Sequence, residues 1–191
     1  MSNNKKNKNT GFTLIEILIS VGIIAILSAT MLQVTSISNT QKQLTIEVSK
    51  AQSFLRMAQS YSLSIPQDVV TSTRHICGFG FYPATEKDYK VFYVYNENFN
   101  SNPEACENES NYTPSSSIGS EIIEEASLSG DYEFASFGVS KAVFFKAPYG
   151  RVYESGGPSK MEGADEHSFE IKDGGDSREI KINGGGKIKV N

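Results

Sequence analysis

The stretch F-T-L-I-E-I-L-I-S-V-G-I-I-A-I-L-S-A-T-M-L, Phe12 to Leu32, decides the architecture. As a helix rising ~1.5 Å per residue it spans about 31 Å, the thickness of a bilayer's hydrocarbon. From Phe12 through Gln41 the only charged side chain is Glu16. Such a run argues against a purely cytosolic protein. Upstream of it Lys5, Lys6 and Lys8 form a basic head with no acid.

Downstream, no helix breaker intervenes. Apolar or small residues recur at Val34, Ile37, Leu44, Val48, Ala51, Leu55 and Ala58 with three- and four-residue spacing, interrupted in register only by Gln41. This is the period of a helix with one buried stripe. The polar side chains from Glu47 to Arg56 fall off that stripe, and Pro66 supplies the stop signal. The spacing predicts one helix of about fifty residues, apolar all round in its first half and on one side in its second.

Beyond Pro66 the period changes to two. Arg74–Tyr82 (R-H-I-C-G-F-G-F-Y) and Tyr89–Tyr95 (Y-K-V-F-Y-V-Y) are aromatic and β-branched, and the P-A-T-E-K-D between them reads as a hairpin loop. Asn96–Ser120 holds few large apolar side chains and reads as a long surface loop. Further strands are expected at 121–128, 132–137, 142–146, 168–172, 179–183 and 187–190. The last three are separated by D-G-G-D-S and G-G-G, which signal tight hairpins. The fold class is α+β, a long amino-terminal helix packed on a carboxy-terminal antiparallel β-rich domain.

The chain has 18 basic and 22 acidic residues, and none of the basic ones lies between Lys90 and Lys141, where nine acids from Glu97 to Glu133 do. An acidic face repels nucleic acid and anionic lipid, so neither is the default partner of the globular part. Two cysteines, Cys77 and Cys106, fit a single disulfide if that part lies outside the cytoplasm. In the chain-entropy model, closing that loop of about 30 residues stabilises the domain by about 3.6 kcal/mol.

The junction T-G-F-T-L-I-E-I-L-I, Thr10–Ile19, resembles the class III signal of type IV pilins and type II secretion pseudopilins: a short basic leader ending in Gly, then Phe, then an apolar helix with Glu at the fifth mature position. The residues that carry the match are Gly11, Phe12 and Glu16. The resemblance implies cleavage after Gly11 and N-methylation of Phe12 by a prepilin peptidase. It implies four parts: a leader over 1–11, a transmembrane or filament-core helix over 12–33, an amphipathic helix over 34–65, and a β-rich extracytoplasmic domain over 66–191. The implied partners are other pilin or pseudopilin subunits, the peptidase, the assembly platform of the inner membrane, and membrane lipid before assembly. The implied place is the inner membrane in a single pass, then an extracellular or periplasmic filament.

Elementary energetics points the same way. A carboxylate inside an apolar helix costs ~2.5 to 3.5 kcal/mol at the bilayer centre, so Glu16 needs a compensating role. In the family it pairs with the amino-terminal charge of a neighbouring subunit's first mature residue. At an effective dielectric near 20 a pair 4 Å apart is worth roughly 4 kcal/mol before desolvation. Gly22, Ala25, Ser28 and Ala29 allow close helix approach. The competing reading is a secretory signal over residues 1–29 cut before Thr30. An acid within the apolar region opposes it, as does an amphipathic helix that follows without a polar break.

The run F-F-K-A-P-Y-G-R-V at Phe144–Val152, with the later F-E-I-K, R-E-I-K-I and G-K-I-K-V strands, is similar to the globular domain of H-type minor pseudopilins. Some pilus relatives of that group bind DNA through a basic tail. Arg178, Lys181, Lys187 and Lys189 are the candidates here, diluted by Asp173, Asp176 and Glu179. A membrane-tethered ligand- or DNA-binding minor pilin of an uptake system is therefore the alternative to a filament subunit. The family's major subunits commonly carry a proline in the apolar segment. This chain has none before Pro66, which favours a minor subunit.

No cofactor, metal or catalytic constellation emerges, and the chain reads as no enzyme. His75 and His167 are its only histidines and neither sits in a spaced ligand motif, although H-I-C places His75 and Cys77 on one strand face. G-G-G-K at Gly184–Lys187 lacks both the upstream glycine and the Ser/Thr of a phosphate loop. D-G-G-D-S lacks calcium-loop spacing.

Overall fold

In the computed structural model, the described residues are 13–70, 74–97, 104, 106, 112–114, 118–138, 141–154 and 161–191, with side chains given for all of these except 32–38 and 40. The leader, Gly11 and Phe12 lie outside them, as do the side chains of Val34 and Ile37. Packing divides the chain between Gln41 and Lys42. That division falls inside helix α1, Leu14–Leu63, which runs for 50 residues.

In the first unit α1 begins where the Thr13 carbonyl accepts the backbone N–H of Glu16 at 3.1 Å and of Ile17 at 3.3 Å. Every side chain from Leu14 to Met31 is exposed, and that segment is long and apolar enough to cross a membrane.

In the second unit, α1 carries its stripe inward. Leu44, Val48, Ala51, Leu55 and Ala58 are all buried, and Ser62 continues the row. Alternating large and small side chains leave grooves on the helix that aromatic rings of the sheet can fill. The helix stops at Leu63, with Ser64 N–H still donating to the Ser60 carbonyl. Pro66 cannot continue it, because it has no N–H and its ring disfavours helical geometry at the residue before.

Nine strands follow: β1 His75–Pro83, β2 Asp88–Asn96, β3 Ser120–Ser127, β4 Glu133–Phe134, β5 Val143–Lys146, β6 Arg151–Glu154, β7 Glu166–Asp173, β8 Asp176–Asn183 and β9 Ile188–Val190. They form two sheets, in the orders β3-β2-β1-β5-β6 and β4-β7-β8-β9, and all pairs are antiparallel. The expected strand over 132–137 shrinks to two residues. β6 was not expected; the turn Ala147–Gly150 folds the chain back so that Phe144 faces Tyr153 and Phe145 faces Val152. A four-residue strand after a Tyr-Gly turn leaves little periodic signal in the sequence.

Aromatic side chains join the layers. Phe54 of α1 meets Tyr89 of β2 edge-on with ring centroids 5.1 Å apart, and Tyr89 meets Phe134 of β4 at 5.8 Å. Tyr61 of α1 meets Phe79 of β1 at 5.6 Å, and Phe81 of β1 meets Phe169 of β7 at 5.1 Å. Edge-to-face pairs of this kind contribute beyond the area they bury.

The other face of the larger sheet has its own cluster, Cys77, Phe92, Val94, Phe144, Cys106 and Tyr112. Tyr112 stacks on Phe144 at 4.2 Å and donates its hydroxyl to the Cys106 carbonyl at 2.6 Å. Tyr112 and Thr113 are buried, so this part of the 96–120 stretch is a lid on the sheet rather than a purely solvated loop. Two covered faces explain why β1 and β2 read as nearly continuous apolar runs. They also explain the G-F-G-F of β1: a side chain at Gly80 would occupy the ring of Phe92, its direct cross-strand partner.

Glu47 departs from the expected polar side of the helix. It is fully buried and accepts from Ser129 Oγ at 2.6 Å, the Ser129 N–H at 3.3 Å, Lys50 Nζ at 2.9 Å and Gln43 Nε2 at 3.3 Å. Burial pushes its carboxyl up, but the donors on Lys50 and Ser129 outweigh that and hold it below its ordinary value. A buried charge is tolerated where hydrogen bonds replace water.

Leu55→Ala is expected to destabilise the protein by about 3 kcal/mol through lost transfer energy and the cavity left behind. Ile46→Ala, at a position 47 % exposed on the same helix, is expected to cost under about 1 kcal/mol. Urea unfolding midpoints of the two variants check both figures.

Candidate functional site

The amino-terminal segment concentrates the candidate chemistry. Thr13 and Glu16 stand in the T-x-x-E relation of a capping box, and Glu16 lies in the first turn of α1. There the positive end of the helix dipole favours a carboxylate, typically by 0.3 to 1 kcal/mol. Beyond Glu16 the polar groups of the segment are satisfied within the helix. Ser20 Oγ donates to the Glu16 carbonyl at 2.8 Å, Ser28 Oγ to the Ile24 carbonyl at 2.8 Å, and Thr30 Oγ1 to the Leu27 carbonyl at 2.9 Å. Hydroxyls bonded in this way enter an apolar medium without an unpaired group. Glu16 is thus the one charge of the exposed Leu14–Met31 segment. A Cβ built on Gly22 meets nothing within 4 Å, which leaves that face open to close approach.

In the second unit the sulfurs of Cys77 and Cys106 are bonded, with Cα atoms 5.3 Å apart. Cys77 sits where the register of β1 against β2 shifts between Ile76 and Gly78. Cys77 is buried while His75 is exposed, and no metal-holding group of His, Cys, Asp and Glu occurs among the described residues.

The four basic tail residues are not brought to one surface. Lys181 and Lys189 are direct cross-strand partners, with Lys187 in the turn beside them, but Arg178 alternates to the other side of β8 with Ile180 and Ile182. Lys181 Nζ lies 3.3 Å from Glu179 and 3.8 Å from Glu166, so acids share that face. The D-G-G-D-S turn is a plain hairpin in which Asp173 pairs with Asp176 around Gly174 and Gly175, and Gly174 has φ +49°.

Two polar constellations escaped sequence reasoning. At one end of the larger sheet, Glu121 receives Arg74 Nη1 at 2.6 Å and the Tyr93 hydroxyl at 2.5 Å, while the Arg74 guanidinium lies 4.3 Å over the Tyr95 ring. The Tyr93 hydrogen bond leads in holding the Glu121 carboxyl below its ordinary value, and burial pushes Tyr93 up to about 12. Cross-strand pairing of Tyr93 with Glu121 was invisible before the β2–β3 register was known. At the β6 edge, Glu154 of the larger sheet meets buried His167 of β7 in the smaller one, with Nδ1 2.8 Å from Glu154 Oε1 and the ring edge-on to Phe169. Burial holds the imidazole below its ordinary value, against the pull of Glu154. Both constellations tie strands together.

A depressed histidine pKa contributes stability above the unfolded value near 6.5 and loses it as pH falls. The urea midpoint is therefore expected to drop between pH 7 and pH 5, and His167→Gln to flatten that drop. The hydrogen-bonded carboxylates of buried Glu47 and exposed Glu121 add a second loss, in more acidic solution, because their folded pKa values lie below the ordinary one. Midpoints of both proteins across this range, measured at constant ionic strength, test the assignment.

Compared with known proteins, residues 6–32 match the family model described as the prokaryotic N-terminal methylation motif. No curated protein and no solved structure matches the chain. The motif is consistent with the type IV pilin and pseudopilin family and supports a pilin-like precursor processed by a prepilin peptidase. Proteins that carry this motif are structural rather than enzymatic, and it fits, together with the exposed apolar helix, membrane anchoring of the chain.

Proposed function

We propose that the protein is a subunit of a type IV pilus-like filament or type II secretion pseudopilus, stored in the inner membrane by α1 and handed into a filament core. The observation that carries the reading is the methylation motif over residues 6–32, laid on the apolar Leu14–Met31 part of α1, whose one charge, Glu16, stands in the first turn. Cleavage after Gly11 and methylation of Phe12 place a terminal ammonium next to that turn. Glu16 of one copy then pairs with the Phe12 ammonium of its neighbour, and the pair fixes axial register. The β-rich unit decorates the outside.

The absence of proline before Pro66 supports a minor position, and the Phe144–Val152 hairpin motif with the later alternating strands supports an H-type pseudopilin. Two lysines facing each other among Glu166 and Glu179 do not favour duplex DNA as the partner.

Expressed with a prepilin peptidase and an assembly platform, the chain is expected to be recovered in sheared filaments. Gly11→Ala is expected to accumulate as the longer precursor. Glu16→Ala is expected to remain processed, membrane-inserted and folded, yet to enter filaments poorly. Normal incorporation of Glu16→Ala removes the register role, and a wild-type chain that never leaves the membrane fraction favours a tether instead.

A further inference from the structure

Among the described residues, the second unit presents two sheet edges of opposite charge with no pairing strand. β3 ends the larger sheet and β9 ends the smaller one. The pairing alternation fixes which backbone groups each edge offers. On β3, the Leu128 N–H bonds the Lys87 carbonyl and the Tyr95 N–H bonds the Gly119 carbonyl, which leaves Ser120, Ile122, Glu125 and Ser127 pointing outward. On β9, Asn191 and Glu179 exchange both backbone bonds, which leaves Ile188 and Val190 pointing outward.

Side chains then give each edge a sign. The β3 sequence S-E-I-I-E-E-A-S carries three acids and no base; Glu121 and Glu125 already meet Arg74 at 2.6 Å and Lys90 at 3.0 Å, and exposed Glu124 adds the remaining acid of the edge. Lys187 and Lys189 are exposed on and beside β9, which has no acid. Each edge also shows an apolar side chain to solvent, Ile122 at 47 % and Val190 at 36 % exposure. Like charges along one edge oppose its pairing with a copy of itself. The same charges favour β3 against β9, so what blocks the two homotypic pairings selects the heterotypic one.

We propose that β9 of one copy adds to the β3 edge of a second copy of this chain, with Ile122 beside Val190 and the β9 lysines along the β3 acids. Such a contact is heterologous: it leaves a free β3 edge on one copy and a free β9 edge on the other. The proposal rests on the filament reading and adds to it the surface by which neighbouring globular units meet.

Two full-length copies with different tags, one carrying Ile122→Cys and the other Val190→Cys, are expressed with the peptidase and platform and treated in membranes and sheared filaments with a short bismaleimide. The mixed, doubly tagged adduct is expected, with little adduct from Ile122→Cys alone or Val190→Cys alone. Adding Glu124→Lys to the first copy is expected to cut the mixed adduct severalfold, and Lys189→Glu in the second to restore it. Absence of a mixed adduct from copies that are processed and incorporated overturns the proposal and leaves the filament reading standing, and so do equal homotypic adducts. A mixed adduct in membranes from a chain that enters no filament supports edge pairing and removes the filament reading.

Discussion

The stripe Leu44, Val48, Ala51, Leu55 and Ala58, seated under the aromatic face of β1 and β2, is the contact on which the rest of the globular unit depends. Without it Phe79, Tyr89 and Phe81 lose the helix side of their packing, and the second sheet loses the rings on which Phe134 and Phe169 rest. The second unit therefore begins at Lys42, in mid-helix, and not where the strands begin. One helix serves two surroundings, and its side chains change character between Met31 and Leu44 because the medium that must cover them changes.

Covering both faces of the larger sheet sets the remaining features. The helix takes one face. The disulfide-tethered segment with Cys106 and Tyr112 takes the other, closing over Phe92 and Phe144. A sheet buried twice needs glycines where rings cross it, which is why Gly80 faces Phe92. The charge caught in these layers is satisfied: Glu47 accepts from Ser129 and Lys50. Such groups fix register because an incorrect pairing leaves a buried charge bare.

Much of the fold was legible in the sequence because period and composition are local signals. The helix with its stripe, the hairpin loops at Pro83–Asp88 and Gly174–Gly175, and most strands follow from spacing alone. What escaped was non-local. The burial of Glu47 depends on Ser129, far along the chain, and the cover formed by Tyr112 depends on which sheet face lacked one. β6 escaped because four residues after a turn carry too little pattern. For the candidate site the reverse holds: Glu16 stands out because one charge in an apolar run is anomalous wherever the chain folds. The scattered lysines of the tail could not be assigned a common face before strand alternation separated Arg178 from Lys181.

Cleavage after Gly11, as proposed, makes Phe12 the first residue of the mature chain, four residues before Glu16, the one charge of Leu14–Met31. The most direct test is the mass of the amino-terminal peptide from protein made with a prepilin peptidase. An N-methylated peptide beginning at Phe12 is the predicted result. A terminus at Thr30 contradicts the account, because it removes Glu16 and the apolar segment from the mature protein.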